Sequence, residues 1–311
     1  MNIVVTGGCG YVGSAVAPAL LERGHQVTVF DNLLKDGRGL LPYFASPKLR
    51  FVWGDVRDEQ AVREVVAGAD AVIHLAAIVG FPACANDPWA ARSTNVDGAV
   101  TVKRALGPSQ LLLFASSLSN YGTMPGEVCT EETPPKPITL YGVTKMEAEA
   151  RVLEMGNTII FRPATAFGLS GQMRLDLLFN DFVNAALRSK KLTVYEPDYF
   201  RAFVHVRDFA AAFVFALDHT DWMVNQLYNL GDESLNLTKG DLAQRISKKV
   251  PCQVEFSNRR SDPDQRNYRV SFEKLNALGF KTRVSIDEGI DELLRALPAL
   301  TVPNPFSNAG L

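Results

Sequence analysis

The sequence has few cysteines and histidines, and neither residue type is clustered. The four cysteines are Cys9, Cys84, Cys129 and Cys252, and no two of them stand at metal-ligand spacing. The four histidines form no HExxH-like arrangement. We therefore expect no bound metal. Scattered cysteines are typical of reduced thiols rather than disulfides, which predicts a cytoplasmic protein.

An excess of one charge and a long hydrophobic run are also missing. Lys and Arg number 32 and Asp and Glu number 34, so the net charge of −2 gives no support for a nucleic-acid or polybasic membrane surface. The most apolar window, residues 71–80, contains His74 and is too short to span a bilayer. Met1 leads directly into "NIVVTGG", so we expect no targeting leader. Nucleic acids and membranes are not expected partners.

What the first half of the chain does contain is a regular alternation of apolar runs and helical patterns. The apolar runs lie at 2–6, 26–31, 49–55, 70–77, 111–117 and 157–163. The helical patterns lie at 11–24, 59–68, 88–106 and from about 141. Nearly continuous apolar strands separated by helices are typical of a parallel sheet covered on both faces. The sequence therefore predicts an α/β fold with a doubly wound parallel sheet.

The second half of the chain has a different rhythm. Helical patterns at 174–189, 206–218, 239–249 and 286–297 are interrupted by short strands at 192–195 and 203–206. A length of 311 residues fits two domains, or one large core with a lobe attached. We predict a first domain at 1–167 and a smaller mixed α/β lobe at 168–311, with some segments of the lobe returning to the sheet.

A glycine-rich turn, "TGGCGYVG", directly follows the first predicted strand. Gly7, Gly10 and Gly13 recur at three-residue intervals. Such a pattern alone also fits a tight turn with no ligand. Its position between a strand and a helix favours a dinucleotide, because backbone N–H groups at a helix N-terminus can hold a pyrophosphate.

The second strand ends on Asp31, 18 residues after Gly13. A carboxylate there accepts hydrogen bonds from both adenosine ribose hydroxyls and repels a 2′-phosphate, so the predicted cofactor is NAD rather than NADP. Asp55 closes the third strand and is a candidate for contact with the adenine amino group. Its alternative role is to cap the helix that starts near Asp58.

The stretch "LYGVTK" places Tyr141 and Lys145 four residues apart on one helix face. One interpretation is a solvated surface pair. The other is catalytic: a phenol has a pKa near about 10, and a nearby ammonium lowers it by stabilising the phenolate. The serine-rich end of the fifth strand supplies Ser117, 24 residues earlier, as a hydroxyl that orients a substrate oxygen. In a dinucleotide-binding chain this combination favours the catalytic interpretation.

Together these motifs resemble the extended short-chain dehydrogenase/reductases of the nucleoside-diphosphate-sugar epimerase/dehydratase type. The resemblance covers nearly the whole chain and includes "TGGCGYVG", "GDVRD", "HLAA", "STNVDGAV", "SSLSNYG", "YGVTK", "FRPATAFG" and "DPDQRNYRVSFEKL". It implies a modified Rossmann fold with seven parallel strands, a lobe that binds a nucleotide sugar, and Ser117, Tyr141 and Lys145 as the catalytic residues.

The resemblance also implies the binding residues. Those for NAD would be Gly7, Gly10, Tyr11, Val12, Gly13, Asp31, Asn32, Asp55, Val56, Leu75, Ala76, Ala77, Tyr141, Lys145, Pro163 and Ala164. Those for substrate would be Val79, Ser117, Tyr141, Asn180, Arg201 and Arg266, with Arg174 and Arg260 as weaker phosphate-binding candidates. For each arginine the alternative is a solvated surface charge. Asn95 would support the helix of Tyr141, and Arg162 would border the carboxamide with Pro163 and Ala164.

The residues after Ser117 favour one reaction of the family. Its 4,6-dehydratases carry an Asp-Glu pair there, whereas this chain has Leu118 and Ser119. Reductase-epimerases that use NADPH carry a cysteine there, and Asp31 disfavours that cofactor. The prediction is a 4-epimerase that acts on a nucleoside-diphosphate sugar through a transient 4-keto intermediate. The alternatives are an NAD-dependent 4-dehydrogenase and a non-catalytic dinucleotide sensor. Family members commonly pair through helices, here those near 88–106 and 140–155, which predicts a homodimer.

Overall fold

The computed structural model describes residues 1–257 and 265–302. The strands of these residues are β1 (Asn2–Thr6), β2 (Gln26–Asp31), β3 (Leu49–Trp53), β4 (Ala71–His74), β5 (Leu111–Ala115), β6 (Thr123–Cys129), β7 (Thr158–Pro163), β8 (Thr165–Phe167), β9 (Lys191–Tyr195), β10 (Phe200–His205), β11 (Gln226–Leu230), β12 (Asn236–Thr238), β13 (Gln253–Ser257) and β14 (Asn267–Val270).

The α-helices of the same residues alternate with these strands in the first half of the chain and become denser in the second. They are α1 (Gly13–Glu22), α2 (Glu59–Val66), α3 (Phe81–Asn86), α4 (Pro88–Arg92), α5 (Gly98–Ala105), α6 (Leu140–Glu154), α7 (Leu178–Ser189), α8 (Val206–Asp218), α9 (Thr220–Met223), α10 (Lys239–Lys249), α11 (Glu273–Asn276) and α12 (Ile286–Ala296).

Seven strands form one central parallel sheet in the order β11-β7-β5-β4-β1-β2-β3. This confirms the predicted doubly wound parallel sheet. The seventh strand, β11, comes from the second half of the chain. The strand order reverses at β1, and the crevice at such a point is where open α/β sheets bind ligands.

Both faces of the sheet are buried, which explains the continuous apolar runs in the sequence. Val5, Leu113 and Phe161 pack into the core on one face. Val4 and Phe114, their neighbours along β1 and β5, pack into a second core on the other face. Because successive strand residues point to opposite faces, a strand covered on both sides has to be apolar at every position.

Two predicted helices differ from the structure. The pattern at 88–106 forms α4 and α5 joined by a π-helical turn at Ser93–Asp97. The pattern at 174–189 becomes helical at Leu178, since Leu177 has an extended backbone and marks the helix start. Residues 169–177 therefore run outside a helix, and we call them the covering segment.

The second half of the chain has its own core. β10 pairs in parallel with β8 and antiparallel with β12. Phe167 of β8, Phe203 of β10 and Phe179 of α7 are fully buried, and the Phe167 and Phe179 rings stack with their centroids 4.1 Å apart. This core supports the covering segment on the side away from the central sheet. None of the described helices is long and apolar enough to cross a membrane.

Candidate functional site

A cavity of about 380 Å³ lies at the carboxyl edge of the central sheet. The predicted binding residues that line it are Gly7, Gly10, Tyr11, Val12, Gly13, Asp31, Asn32, Val56, Leu75, Ala76, Ala77, Val79, Ser117, Tyr141, Lys145, Pro163 and Ala164. Most of these residues lie at or just after the ends of central strands, and parallel strands bring their carboxyl ends to one edge. Four predicted residues do not line the cavity: Asp55, Asn180, Arg201 and Arg266.

The glycine-rich turn between β1 and α1 leaves no room for side chains at two of its glycines. Gly7 has a φ of +70°, and a Cβ atom at this position would lie 2.6 Å from the backbone nitrogen of Ala76. A Cβ atom at Gly13, the first residue of α1, would overlap the carbonyl oxygen of Gly7. No described side chain caps α1, and Gly13, its first residue, lines the cavity. The residues present fit a dinucleotide.

Asp31 lies in the cavity wall at the end of β2. Its carboxylate accepts hydrogen bonds from the backbone N–H groups of Cys9 at 3.0 Å and Leu33 at 2.8 Å, which fix its orientation. Burial raises the pKa of Asp31. Each carboxylate oxygen retains a second acceptor site for a ribose hydroxyl.

Asp55 has a different environment from the one predicted. Its carboxylate accepts hydrogen bonds from Arg57 Nη2 at 2.7 Å and from Asn32 Nδ2 at 3.1 Å. The hydrogen bonds from Arg57 lower the pKa of Asp55 to about 2. The alternative role as a helix cap is wrong, because Asp58 caps α2 by accepting from the N–H groups of Gln60 and Ala61. Contact between Asp55 and adenine stays a prediction.

Ser117, Tyr141 and Lys145 meet in the cavity wall. Ser117 follows β5, and Thr139 starts α6 by accepting a hydrogen bond from the backbone N–H of Gly142 at 3.2 Å. Lys145 is 3% exposed, and its Nζ lies 4.3 Å from the centroid of the Phe114 ring. The buried position of Lys145 is not that of a solvated surface pair.

Asn95 holds α6 in place, as the resemblance implies. Its Nδ2 donates to Thr144 Oγ1 at 3.0 Å and to the carbonyl oxygen of Ile78 at 3.0 Å. Its Oδ1 accepts from the backbone N–H of Ile78 at 2.8 Å. Asn95 therefore ties the helix that carries Tyr141 to the loop after β4.

The protonation balance differs from the sequence expectation of a half-ionised phenol. Burial raises the pKa of Tyr141 to about 12, against lowering contributions from the Ser117 hydrogen bond and from Arg174 and Arg266. Burial lowers the pKa of Lys145 to about 7, against the raising effect of Glu149. Within the protein alone, desolvation is the largest cause of both pKa shifts. The tyrosine is therefore protonated at neutral pH.

Arg162 lies elsewhere than expected. It is 3% exposed, and its Nη2 donates to Glu149 Oε1 at 2.5 Å and its Nη1 to Tyr121 Oη at 3.0 Å. Glu149 also accepts from Ser116 Oγ at 2.6 Å. Arg162 belongs to a buried polar network behind the cavity wall instead of bordering a carboxamide. Glu149 was not predicted as part of the site. Its position eight residues after Tyr141, on the same helix face, is the sequence feature that could have indicated it.

Asn180 does not face the cavity, contrary to its predicted place beside substrate phosphate. It is fully buried; its Oδ1 accepts from the backbone N–H of Gly168, and its Nδ2 donates to the carbonyl oxygen of Arg174 and to Tyr11 Oη. Its amide hydrogens are thus used inside the protein. The structure makes Asn180 a brace between α7 and the covering segment.

Two predicted phosphate-binding arginines lie together. Arg201 is 3% exposed, and its Nη1 donates to the carbonyl oxygens of Phe200 and Arg266. Arg266 Nη1 donates to Ser119 Oγ at 2.5 Å. Their contact with a diphosphate stays a prediction, and Arg260 lies outside the described residues.

Of the covering segment, sequence reasoning named Arg174 as a weaker phosphate-binding candidate and missed the other cavity-lining residues. Gln172, Met173, Arg174 and Leu177 line the cavity, as does Lys35 from the loop after β2. Arg174 Nη2 donates to Asp176 Oδ2 at 2.5 Å, and both side chains are largely buried. The sequence pattern predicted a helix at 174–189, so the non-helical segment before Leu178 was not recognised.

The covering segment is joined to the glycine-rich region. Ser170 Oγ donates to the carbonyl oxygen of Tyr11 at 2.5 Å, and the backbone N–H of Gln172 donates to Ser14 Oγ at 3.1 Å. Gly171 and Gly39 pack so closely that a Cβ atom at Gly39 would lie 2.6 Å from the carbonyl carbon of Gly171. These contacts hold residues 169–177 across the cavity.

The chain is similar to known proteins in sequence and in fold. A UDP-glucose 4-epimerase of Corynebacterium glutamicum is 32% identical over 257 residues, covering 74% of this chain and 75% of that protein. A dTDP-glucose 4,6-dehydratase of Streptomyces niveus is 28% identical over 313 residues, covering 94% of this chain and 91% of that protein. The crystal structure of a Thermus thermophilus UDP-glucose 4-epimerase in complex with NAD has a TM-score of 0.82 at 24% identity, covering 97% of this chain and 100% of that one.

The likeness to the Thermus thermophilus structure confirms the predicted modified Rossmann fold. A family model described as the NAD dependent epimerase/dehydratase family matches residues 3–231, most of the chain. The predicted cofactor, NAD, is the one that this description names. The resemblance inferred from the motifs is thus confirmed, and the chain belongs to the NAD dependent epimerase/dehydratase family.

Proposed function

We propose that the protein is an NAD-dependent nucleotide-sugar 4-epimerase that acts through a transient 4-keto sugar. The observation that carries this proposal is the polarity of the cavity wall. Among the described residues that line the cavity, Asp31 is the one carboxylate, and it lies at the end of β2, where we predict the adenosine ribose. Elimination of water needs an acid and a base beside the sugar. The two positions after Ser117 hold Leu118, which is 2% exposed, and Ser119.

The chain's own residues suit proton transfer at one sugar hydroxyl. With oxidised NAD bound, its positive ring would favour the phenolate, and Tyr141 would then take the hydroxyl proton at C4 of the sugar. Ser117 would hold the same oxygen through its hydroxyl group. Lys145 would stabilise the tyrosinate and hold the nicotinamide ribose. When bound, NAD would accept the hydride from C4 of the sugar and would later return it. Return to the opposite face of the keto sugar inverts C4.

The covering segment favours the epimerase over a 4-dehydrogenase. An epimerase regenerates its cofactor in every turnover and gains from retaining it, whereas a dehydrogenase has to exchange NADH for NAD. Ser14, Ser170 and Tyr11 connect the covering segment to the glycine-rich turn by hydrogen bonds. These bonds support slow release of the cofactor.

The proposed substrate is a nucleoside-diphosphate sugar. Arg201 and Arg266 lie on the lobe side of the catalytic residues, and guanidinium groups suit phosphate oxygens through charge-assisted bonds.

We also propose a homodimer formed through α4, α5 and α6. Trp89 on α4, 73% exposed, supports a partner on this surface, and light scattering of the purified protein tests it.

The function is tested by measuring bound NAD, sugar conversion and absorbance at 340 nm together. UDP-, GDP-, CDP- and dTDP-sugars are first screened by thermal shift, because a ligand that binds the native state raises its melting temperature. Conversion of a sugar to its 4-epimer with no net absorbance change supports the proposal, and Tyr141→Phe should abolish it. Stoichiometric NADH release would indicate the dehydrogenase. A 4-keto-6-deoxy product would indicate the dehydratase, and no conversion would favour the non-catalytic sensor.

A further inference from the structure

Lys239, the first residue of α10, forms a buried ion pair in the lobe. Its Nζ lies 3.1 Å from Glu196 Oε2, and the two side chains are 2% and 16% exposed. The same Nζ lies 5.6 Å from the centroid of the Tyr199 ring. Replacing such a buried pair by apolar residues of similar volume is often neutral or stabilising, because the charges no longer have to be desolvated. Stability alone therefore does not account for the pair.

Glu196 also has an unusual backbone conformation. Its φ is +43°, in the left-handed region that favours glycine and is unfavourable for a residue with a side chain. Strained residues of this kind persist where the surrounding structure holds them, and they are frequent at functional sites. A strained backbone and a desolvated carboxylate thus occur in one residue, which points to a role in placing other groups.

The ion pair fixes the turn of residues 196–199, which leads directly into β10. The backbone N–H of Lys239 donates to the carbonyl oxygen of Tyr199 at 3.0 Å, so the start of α10 is joined to the turn by its backbone as well as by its side chain. Arg201 is the second residue of β10. The place of Arg201 in the lobe therefore depends on the place of the turn.

The turn also holds the segment that carries Arg266. Gln265 Nε2 donates to Glu196 Oε1 at 3.4 Å. On the other side of Arg266, Asn267 Oδ1 accepts from the backbone N–H of Phe200, the first residue of β10, at 2.9 Å. Both chain neighbours of Arg266 are thus bound to the turn or to the strand that follows it.

The two arginines are connected to each other and to the catalytic region. Arg201 is 3% exposed, and its Nη1 donates to the carbonyl oxygen of Arg266. Arg266 Nη1 donates to Ser119 Oγ at 2.5 Å, two residues after the predicted catalytic residue Ser117. A guanidinium binds phosphate through a planar fork of donors, so its orientation decides how well it binds. A shift of the turn would change this orientation for both arginines.

We propose that Lys239 and Glu196 are positioning residues that orient Arg201 and Arg266 towards a substrate diphosphate. The ion pair holds the turn, and the turn holds the two segments that carry the arginines. The inference rests on the proposed function, because it takes the diphosphate of a nucleotide sugar as the ligand of Arg201 and Arg266. Neither member of the ion pair has to contact the substrate.

The main test variant is Lys239→Met/Glu196→Gly. Methionine retains most of the lysine volume and glycine suits the positive φ, so the variant loses the ion pair without leaving a buried charge or a strained residue. Urea denaturation should show a stability close to that of the wild type. Glu196→Asp, which keeps a carboxylate but shortens it by one methylene group, is the second variant. The control is Lys249→Met/Asp291→Asn, which removes a 2.6 Å ion pair at the other end of α10.

The binding test is isothermal titration of the NAD-loaded protein with UDP, GDP, CDP and dTDP. For the nucleotide that the wild type binds most tightly, Kd should rise about tenfold in Lys239→Met/Glu196→Gly and by a smaller factor in Glu196→Asp. The control should keep the wild-type Kd. With a sugar that is converted, KM should rise in parallel while kcat changes less than about twofold. A wild-type Kd in both Glu196 variants would overturn the proposal and leave the pair a purely structural role.

A second measurement needs no ligand and separates this inference from the proposed function. Hydrogen exchange followed by mass spectrometry reports the opening of residues 200–201 and 265–267. Their amides should exchange at least about tenfold faster in Lys239→Met/Glu196→Gly than in the wild type and the control, with the central sheet unchanged. Equal exchange in variant and wild type rejects the inference whether or not any nucleotide binds. Faster exchange, with no nucleotide bound by the wild type, would support the positioning of the two arginines and reject the nucleotide-sugar substrate.

Discussion

Glu149 lies one helical turn beyond Lys145 on α6, and its carboxylate is held by the guanidinium of Arg162 at 2.5 Å. Three ionisable groups are thus buried together with one more potential positive charge than negative. The attraction of Glu149 to Lys145 is shared with Arg162, so that burial prevails and the pKa of Lys145 falls to about 7. The network behind the cavity wall therefore contributes to the protonation of Lys145, a predicted catalytic residue.

Glu149→Gln should destabilise the protein by about 3–5 kcal/mol, because it leaves the Arg162 guanidinium buried without a carboxylate. It should also lower the pKa of Lys145 further, since Glu149 raises it. Urea denaturation measures the first effect. The matched control is Glu147→Gln on the same helix, whose partners Arg92 and Arg151 are exposed, and its cost should stay below about 1 kcal/mol. Equal costs for the two variants would contradict this account.

Lys145 should give the protein a stability that rises with pH between about 7 and 10. Its pKa is lowered from 10.5 to about 7 on folding, so the unfolded chain binds a proton in this window that the folded protein has released. This contribution of Lys145 to the unfolding free energy is absent below its pKa in the folded protein. Above that pKa it grows by at most about 1.4 kcal/mol per pH unit. Above pH 10 Tyr141 lowers the stability as pH rises, because its pKa is raised on folding and the unfolded chain releases the phenol proton first.

Denaturant titrations of wild type and Lys145→Met at several pH values measure this slope. The difference in unfolding free energy between the two proteins should change in favour of the wild type as pH rises. Lys48→Met, which removes an exposed lysine, is the control and should leave the slope unchanged. Parallel curves for wild type and Lys145→Met would show that Lys145 is not desolvated in solution.

The sequence predicted the sheet and most of the cavity wall because both leave local signals. Continuous apolar runs identified six of the central strands, and strand ends located Asp31 and Ser117. Gly7 is required by a positive φ, which a sequence pattern can indicate. Tyr141 and Lys145 followed from their helical spacing together with the serine-rich end of the fifth strand and the dinucleotide-binding pattern.

The errors concern burial and long-range partners, which no local pattern contains. Asn180 was placed at the substrate by the family resemblance, although its amide binds backbone groups of Gly168 and Arg174. The acidity of Tyr141 was inferred from the charge of Lys145, whereas the depth of both side chains decides it. A charge is visible in a sequence, but its desolvation depends on the complete fold.

Asn180→Ala should lower stability by about 1–3 kcal/mol, because it leaves the buried N–H of Gly168 without an acceptor. If the cofactor and sugar sites are otherwise intact, KM for the nucleotide sugar should change less than about twofold in the folded fraction. Asn184→Ala, one turn later on α7, removes a hydrogen bond to the exposed Arg188 and is the control. A large rise in KM with unchanged stability would restore Asn180 to the phosphate site predicted from the sequence.

Asp31→Ser should reverse the choice of cofactor. The carboxylate that repels a 2′-phosphate would be gone, while Lys35 and Arg57, which line the same cavity, would remain to attract one. We expect the Kd of the variant for NAD to be about tenfold higher than that of the wild type, because the ribose hydrogen bonds are lost. The Kd of the variant for NADP should be lower than its Kd for NAD. Isothermal titration of the protein freed of endogenous cofactor measures both constants.

Asp36→Asn, which changes an exposed carboxylate paired with Arg38 a few residues away, should leave both constants at their wild-type values. If Asp31→Ser bound NAD as tightly as the wild type does, the carboxylate would be serving the loop through Cys9 and Leu33 and not the ribose.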